Sequence, residues 1–394
     1  MAKSTQILIV GAGIFGVTTA LELAERGAEV MVMDPGPLPH PLAASTDISK
    51  VVRMEYGTDE DYMALVEASL PSWREWNDLA DKTLYHETGV TMFTQEPMQP
   101  GGFEHDSYEM LLKRGHQPER LNADDIAKQF PGWHAGHYVD GFYHKLGGFA
   151  ESGRVVETLI AEGKRKGVTF LSGQKAVEIL VDGGVVTGVR TEDGTEYRAE
   201  IVVIAAGAWT PVLLPELAPL MRITGHPVFH LQTDQPELFT PPHFATFTAD
   251  VARTGWYGFP LHPTERVIKV ANHGVGKVLH PEHDERVVYE ADEANLRQFL
   301  LGTFPALADA PVVCTRRCLY CDTLDEHLLI DQHPEAEGLY IASGGSGHSF
   351  KFAPMLGKIV ADRIEAKENQ WLPKFKWRTL PPSTSGKEAA RHHG

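Results

Sequence analysis

A glycine-rich turn between two apolar runs is the feature that most constrains what this chain can fold into. The first run, Gln6–Val10, leads into GAGIFG at residues 11–16, and helical periodicity follows over Val17–Arg26. A second apolar run, Glu29–Met33, ends at Asp34. This order predicts a strand, a glycine turn, a helix and a second strand, which is the opening unit of a dinucleotide-binding sheet.

Three glycines and one carboxylate give this turn its chemistry. Gly11 permits the tight turn, Gly13 lets the backbone approach a pyrophosphate at the helix N-terminus, and Gly16 lets the helix pack against the strand. Asp34, about 20 positions further on, would accept hydrogen bonds from ribose hydroxyls. The motif fits FAD and NAD alike, and a turn without a ligand in an unrelated α/β fold is the alternative interpretation.

Two later segments look like returning pieces of the same domain. Apolar runs at Ile201–Ala205 and Gly338–Ala342 predict buried strands. The second run leads into a loop with three glycines, Gly344, Gly345 and Gly347. A helix beginning near Phe350, with Lys351, would direct positive charge at the N1/C2 region of a flavin. This layout favours FAD over NAD, whereas a glycine turn beside a solvated lysine is the alternative.

Between these pieces, strand patterns alternate with isolated helices. Glu196–Ala199 is predicted as a strand separate from Ile201–Ala205. Residues 222–322 read as antiparallel strands interrupted by a helix over Tyr289–Leu301, and residues 88–148 show no clear period.

Length and charge bound the class of protein. The 394 residues suggest two domains, and 42% hydrophobic content fits an ordinary α/β enzyme. The formal net charge of −17 argues against nucleic acid or an anionic membrane as partner, although a local basic pocket remains compatible with it. No apolar run reaches the roughly 18 residues of a membrane span, and the start lacks the regions of a signal peptide. We expect a cytoplasmic monomer or small homo-oligomer.

The three cysteines of the chain lie within eight residues, as Cys314, Cys318 and Cys321. Their spacing, C-x3-C-x2-C, is compatible with a radical-type iron–sulfur cluster, a loose metal site or a single reactive thiol. On a regular strand, Cys314 and Cys318 would share one face and Cys321 would take the other. That placement disfavours a cluster, and we predict no metal site.

Taken in order, the motifs resemble FAD-dependent amine oxidases of the monomeric sarcosine oxidase, fructosyl-amino-acid oxidase and pipecolate oxidase group. The matching stretches are GAGIFG with Asp34, SKVVRMEYG at 49–57, AAGAW at 205–209, YGFP at 257–260, IKVANH at 268–273, CLYCDTLDEHLLID at 318–331 and GGSGHSFKF at 344–352. AASTDISK and GGSGH lean toward the fructosyl branch, and LDEHLLIDQHPE leans toward sarcosine and pipecolate oxidases. The resemblance therefore leaves the substrate open.

The resemblance also implies residue roles. Cys318 matches the cysteine whose sulfur is bound covalently to the flavin 8α position. Arg53 and Lys351 match the pair that holds the substrate carboxylate, and Lys269 matches the lysine above flavin N5 where oxygen is activated. The residues matched to the substrate cavity are His273 and Tyr257, and the further residues matched to the cofactor site are Ser49, Lys50, Gly207, Trp209, Gly344, Gly345, Gly347 and His348. Surface charges, a structural histidine and a packing tyrosine are the alternative interpretations.

The implied fold is α/β. It has a Rossmann-type FAD-binding domain like that of p-hydroxybenzoate hydroxylase, and a second α+β substrate domain built on an antiparallel sheet. The expected ranges are 1–88, 149–221 and 324–375 for the FAD-binding domain, 89–148 and 222–323 for the substrate domain, and 376–394 for a flexible tail.

The implied activity is oxidation of the secondary amine of an N-substituted amino acid, of the sarcosine or fructosyl type. The product is an imine that water hydrolyses, and O2 is reduced to H2O2. The expected partners are this small-molecule substrate and O2. The alternatives are a flavin or NAD-dependent dehydrogenase with another electron acceptor, an iron–sulfur radical enzyme, and a flavin-binding sensor without catalysis.

Overall fold

A computed structural model describes residues 3–80, 82–381, 384 and 391 of the chain. The strands are β1 (Lys3–Val10), β2 (Val30–Asp34), β3 (Lys50–Val52), β4 (Tyr85–His86), β5 (Val90–Thr94), β6 (Glu119–Arg120), β7 (Asp140–His144), β8 (Gly148–Ala150), β9 (Thr169–Ser172), β10 (Ala176–Asp182), β11 (Val185–Thr191), β12 (Glu196–Ile204), β13 (Met221–Leu231), β14 (Thr246–Ala249), β15 (Trp256–Gly258), β16 (Ile268–Asn272), β17 (Lys277–Val278), β18 (Val312–Thr323), β19 (Leu329–Gln332) and β20 (Leu339–Ser343).

The helices connect these strands. They are α1 (Ile14–Glu25), α2 (Glu60–Ala80), α3 (Phe103–Lys113), α4 (Ala123–Gln129), α5 (Ser152–Arg165), α6 (Thr210–Leu213), α7 (Val251–Thr254), α8 (Glu290–Thr303), α9 (Ala353–Ile364) and α10 (Leu372–Phe375), with short 3-10 turns at Gly207–Trp209, Pro215–Leu217, Pro236–Phe239, Pro305–Leu307 and Ser349–Phe352. None of the helices within the described ranges is long and apolar enough to cross a membrane.

The glycine fingerprint lies in the first sheet, whose order is β10-β11-β12-β1-β2-β9. Strands β9, β2, β1, β12 and β20 run parallel, and α1 packs against both α5 and α9. The carboxyl ends of parallel strands lie at one edge of a sheet, so the segments after β1, β12 and β20 converge there. The buried strands predicted over 201–205 and 338–342 are confirmed as neighbours in this sheet.

Strand β12 corrects one prediction. Glu196–Ala199 and Ile201–Ala205 were expected as separate strands, but Glu196–Ile204 is continuous. One edge of β12 pairs with β1 along its length, while the other edge pairs with β11 in its first half and with β20 in its second. The first half therefore alternates in burial and the second half is buried, which makes one strand look like two.

The second sheet is antiparallel apart from one pair. Its order is β17-β13-β16-β15-β14-β5-β7-β6, with β18 also paired to β13, and only β14 runs parallel to its neighbour β5 among the described strands. A small sheet, β3-β8-β4, carries the Lys50 segment. The predicted fold class is thus confirmed, while the residue boundaries of the two domains stay a prediction.

Three described residues of the segment predicted to be a flexible tail are hydrogen-bonded or buried in the structure. Trp377 donates its backbone N–H to Asp331 at 2.6 Å, and Arg378 donates two 2.6 Å hydrogen bonds to Asp325. Arg391 is buried, with 5% of its surface exposed. Side-chain anchors of this kind leave no periodic pattern in a Pro- and Ser-rich sequence.

Candidate active site

The glycine turn after β1 has the geometry that a bound dinucleotide requires. Gly11 has φ of +107°, and a Cβ there would lie 2.4 Å from the carbonyl oxygen of Ala205. A Cβ on Gly16 would lie 1.9 Å from the carbonyl oxygen of Gly11. Gly13 forms the N-cap of α1 and has no side chain to cap it. The helix therefore presents its positive end to the space above the turn.

Asp34 lies at the end of β2, beside this turn. Its carboxylate accepts hydrogen bonds from the backbone N–H groups of Ala12 at 2.9 Å and Gly36 at 3.1 Å. Burial raises the pKa of Asp34, and the two hydrogen bonds oppose that shift. A carboxylate has further lone pairs, so it can also accept a hydroxyl, as the sequence predicts.

Replacing Gly16 by alanine should destabilise the fold, because the added methyl group overlaps the Gly11 carbonyl. We expect a loss of about 1–3 kcal/mol in the free energy of unfolding, measured by urea denaturation. Gly13→Ala is the matched control, since its Cβ would lie 3.4 Å from Ser45 Oγ. That variant should keep stability within about 1 kcal/mol and weaken FAD binding instead. An equal loss of stability in both variants would contradict the separate roles of Gly16 in packing and Gly13 in cofactor binding.

We call the cavity above the turn the cofactor cleft. The predicted cofactor residues that line it are Gly11, Gly13, Asp34, Lys50, Gly207, Trp209, Gly345 and Gly347. The predicted residues outside its lining are Gly16, Ser49, Cys318, Gly344, His348 and Lys351. A helix N-terminus with glycine at its N-cap, a carboxylate after β2 and close backbone from three strand ends are what FAD needs, so the residues present fit the cofactor.

A smaller cavity adjoins the cofactor cleft, and we call it the amine pocket. Its lining comprises Lys50, Val51, Arg53, Thr248, Val251, Tyr257, His273, Gly347, His348, Phe350 and Lys351. Lys50, Gly347 and Phe350 line both cavities. The pocket brings together four of the five predicted catalytic residues, and no carboxylate is among the described side chains that line it. It is suited to an anionic ligand.

Tyr56, which sequence reasoning did not single out, contacts both of the cations predicted to hold a carboxylate. The guanidinium of Arg53 lies 5.1 Å from the centre of the Tyr56 ring, and Lys351 Nζ lies 4.9 Å from it. Lys351 also donates to the Tyr56 hydroxyl at 2.7 Å and to the His348 carbonyl at 2.8 Å. These contacts fix two buried positive charges beside the pocket.

Lys269 is the predicted catalytic residue that lines neither cavity. It lies on β16, and its Nζ donates to Asp47 Oδ2 at 2.6 Å and to the Ser49 carbonyl at 2.5 Å. Burial lowers the pKa of Lys269 to about 8, although the facing Asp47 carboxylate opposes the shift. Burial would raise the pKa of Asp47, but the charge of Lys269 and the His230 ring nitrogen 3.7 Å away hold it well below its usual value.

The predicted cavity residues Tyr257 and His273 pack against each other edge to face, with their ring centres 6.2 Å apart. Between them and the cofactor cleft lies Tyr320, whose hydroxyl is 3.5 Å from that of Tyr257 and whose ring is 5.7 Å from His273. Burial raises the pKa of Tyr257, so it stays neutral. Both tyrosines therefore act as walls and hydrogen-bonding groups.

The three cysteines on β18 do not form one cluster. Cys314 is exposed and Cys318 and Cys321 are buried, but Cys318 packs with Val228 while Cys321 Sγ lies 3.7 Å from Ser343 Oγ. Within residues 3–80 and 82–381, no group of three metal-ligating side chains is placed to hold an ion. Cys318 and Cys321 lie in different packing clusters, in agreement with their predicted opposite faces, and this separation removes the geometric basis of the iron–sulfur alternative.

Cys318 and Cys321 differ in environment. Cys318 Sγ lies 3.9 Å from Lys50 Nζ, which lines both cavities, although Cys318 itself lies outside the cleft lining. Cys321 does line the cleft, but burial raises the pKa of its thiol to about 12. Of the two buried cysteines, Cys318 is thus the one that lies beside a cationic side chain, whereas Cys321 lies beside a neutral hydroxyl.

Comparison with known proteins identifies the family. A family model described as FAD dependent oxidoreductase matches residues 6–363. L-saccharopine oxidase of Schizosaccharomyces pombe is 29% identical over 413 residues, covering 95% of this chain and 93% of that protein. Monomeric sarcosine oxidase of a Bacillus species is 26% identical over 369 residues, covering 92% of each.

A solved structure gives the same result. The fructosyl amine:oxygen oxidoreductase Amadoriase I of Aspergillus fumigatus superposes with a TM-score of 0.82 at 26% identity, covering 98% of this chain and 91% of that one. The resemblance inferred from the motifs is therefore confirmed. With the fingerprint, the cleft and these relatives together, the chain belongs to the family of FAD-dependent oxidoreductases.

Proposed function

We propose that this protein is an FAD-dependent oxidase that acts on the secondary amine of N-substituted amino acids and releases H2O2. The observation that carries the proposal is the junction of the two cavities. The cofactor cleft meets, at Lys50 and Gly347, a pocket that contains Arg53 and Lys351 and no described carboxylate. The names of the relatives, which include sarcosine, saccharopine and fructosyl amine oxidoreductases, support this substrate class.

The pocket residues bind and orient the substrate. Arg53 and Lys351 take the carboxylate, and this fixes the neighbouring amine and its oxidisable carbon at the junction with the cleft. FAD, when bound, supplies the acceptor for the hydride equivalent and passes the electrons to O2. The two buried cations also disfavour a protonated amine, so the substrate binds in the neutral form that can be oxidised.

Lys269 and Asp47 are buried next to the junction, where Asp47 Oδ2 lies 3.9 Å from the ammonium group of Lys50. We propose that Lys269 in its ammonium form stabilises the negative charge that develops on oxygen as O2 is reduced. Asp47 holds this ammonium group in place at 2.6 Å, and β16 and the Ser49 carbonyl fix its direction. Asp47 is thus a positioning residue for Lys269.

Cys318 is the proposed tether of the cofactor. A thioether from its sulfur to the flavin 8α carbon would replace one S–H and one C–H bond, with the two released electrons passing finally to O2. Cys318→Ser should abolish covalent attachment, so that acid precipitation releases the yellow colour into the supernatant. Cys321→Ser is the matched control and should keep the colour in the pellet. Release from the Cys321 variant alone would show that the tether is Cys321 and that the assignment to Cys318 is wrong.

A substrate panel tests the proposed function. Peroxide release is measured with sarcosine, pipecolate, N-methyl amino acids and fructosyl amino acids, each beside the same amine without its carboxylate. We expect turnover of one or more acids and little turnover of their decarboxylated counterparts. Substrate oxidation that proceeds with an artificial electron acceptor but not with O2 would favour a dehydrogenase instead.

A further inference from the structure

A buried polar cluster lies behind the amine pocket and has no part in the proposed chemistry. Its members are 1–5% exposed and are Thr224, His226, Asp322, Glu326 and Arg391. Four of them belong to β13, to β18 and to the turn after β18. Arg391 comes from 65 residues further along the chain than Glu326.

Arg391 uses every nitrogen of its guanidinium in this cluster. Nη2 donates to Asp322 Oδ2 at 2.9 Å and to His226 Nε2 at 3.3 Å, while Nη1 donates to Glu326 Oε1 at 3.4 Å. Nε donates to the Gly274 carbonyl at 3.1 Å. The planar fork thus connects two carboxylates, one imidazole and the backbone next to His273.

The cluster contacts one wall of the active site through aromatic rings. The His226 ring stacks on Tyr320 with 4.0 Å between ring centres, and Arg391 lies 5.9 Å from the centre of the same Tyr320 ring. Tyr320 lines the cofactor cleft, and its hydroxyl meets that of Tyr257 in the amine pocket. A shift of His226 or Arg391 would therefore move Tyr320, which lines the cofactor cleft and contacts Tyr257 of the amine pocket.

Through Glu326, the cluster also contacts His348, which lines the amine pocket. The backbone carbonyl of Glu326 lies 3.0 Å from His348 Nε2, and His348 Nδ1 lies 2.9 Å from the Tyr56 hydroxyl. The His348 carbonyl also accepts from Lys351 at 2.8 Å. The side chain of Glu326, paired with Arg391, thus anchors the segment that holds a carboxylate-binding lysine.

Electrostatics makes this arrangement depend on the arginine. Asp322 and Glu326 are both buried, and Asp322 Oδ1 has no hydrogen-bond partner among the described residues. Two buried carboxylates repel each other and lose hydration, so removing the cation that joins them leaves uncompensated charge. The Gly274 carbonyl and the Glu326 carboxylate would then lose their donor, and the backbone of both residues would shift to find water or another donor.

We propose that Arg391 is a positioning residue for the amine pocket: its guanidinium joins Asp322 and Glu326 and so fixes Tyr320, His273 and His348. The turnover arm of its test rests on the proposed oxidase function, and the titration arm does not.

The first experiment is chemical rescue. Arg391→Ala should lower kcat/KM for the accepted amino acid by about 100-fold, the size of effect that misplaced active-site groups produce. Added ethylguanidinium should restore activity with saturation, and ethylammonium should restore less, because only the guanidinium is a planar fork. Arg165→Ala is the control and should change neither activity nor rescue, because the arginine that it removes is exposed and forms its ion pair with Glu162 of its own helix.

The second experiment follows His226 by NMR of histidine-labelled protein. Burial and the charges of Arg391, His273 and Arg317 hold the pKa of His226 well below its usual value in the wild type. In Arg391→Ala, loss of the arginine's charge should raise the pKa of His226, and ethylguanidinium should lower it again. If that variant does not fold, Arg391→Lys should fold and show a smaller loss of kcat/KM that ethylguanidinium does not correct.

Two results would overturn the positioning role. One is an Arg391→Ala protein with wild-type kcat/KM and an unchanged His226 titration. The other is a loss of activity and a shifted titration that ethylguanidinium leaves as they are. If the wild type oxidises none of the amines, the proposed function fails, and the His226 titration alone then decides the role of Arg391.

Discussion

Replacing Lys269 by methionine should slow reoxidation of the reduced flavin by O2 by about 100-fold or more, the usual effect of losing one preorganised charge. Methionine keeps the length of the side chain in its buried site on β16 but removes the ammonium group. Stopped-flow mixing of the reduced enzyme with O2 measures this step apart from amine oxidation, which should change much less.

The buried partner of Lys269 requires a second variant. Lys269→Met leaves Asp47 as an unpaired buried carboxylate, which costs stability. The double variant Lys269→Met/Asp47→Asn removes both charges, and it should be as slow with O2 as the single variant while it folds more stably. Lys164→Met, at an exposed position of α5, is the control. Unslowed reoxidation in the double variant would show that the oxygen site lies elsewhere.

The oxygen step should also depend on pH in a defined direction. The pKa of Lys269 is about 8, lowered by burial, and the reactive form is the ammonium ion. The rate should therefore be highest below pH 8 and should fall as pH rises through that value. Asp47 raises the pKa of Lys269, so Asp47→Asn should move the fall to lower pH. A profile that rises with pH would contradict the assignment.

Replacing Arg53 by methionine should lower kcat/KM for amino acid substrates by about 100-fold, because a charge-assisted contact to the carboxylate is lost. Arg53→Lys should recover only part of the loss, since an ammonium group cannot make the paired contact of a guanidinium. Steady-state kinetics with O2 fixed measure both variants.

Substrates without the carboxylate provide the control for Arg53. The N-methyl amine that corresponds to each acid should be oxidised poorly by the wild type and about equally poorly by Arg53→Met, because the contact is absent in both. If Arg53→Met lowers kcat/KM for the acid and for its amine to the same extent, the arginine supports the pocket in some other way than by binding the carboxylate. Flavin content, read from absorbance, checks that the cofactor site is intact.

Local sequence was enough to predict the cofactor cleft. Gly11, Gly13, Gly16 and Asp34 act within one strand–turn–helix unit, so their spacing alone encodes the geometry. The shared order of motifs then brought in Arg53 and Lys351, which both line the amine pocket. Their roles in catalysis stay predictions.

Distance along the chain explains what sequence reasoning missed. Asp47 is 222 residues from Lys269, and Arg391 is 69 residues from Asp322, so neither pair leaves a local pattern. Residues 88–148 were hard to assign because α3, α4 and their short strands are too brief to show a period. In α4, the capping box of Asn122 with Asp125 was a local signal that could have located the helix.

An anaerobic single-turnover experiment tests the central claim most directly. The purified protein is mixed with an N-substituted amino acid in the absence of O2, and the flavin absorbance is followed before and after O2 is added. The account predicts bleaching by the acid but not by its decarboxylated counterpart, then return of the yellow colour with one H2O2 per flavin. A flavin that no such acid bleaches, or a bleached flavin that O2 does not reoxidise, would contradict it.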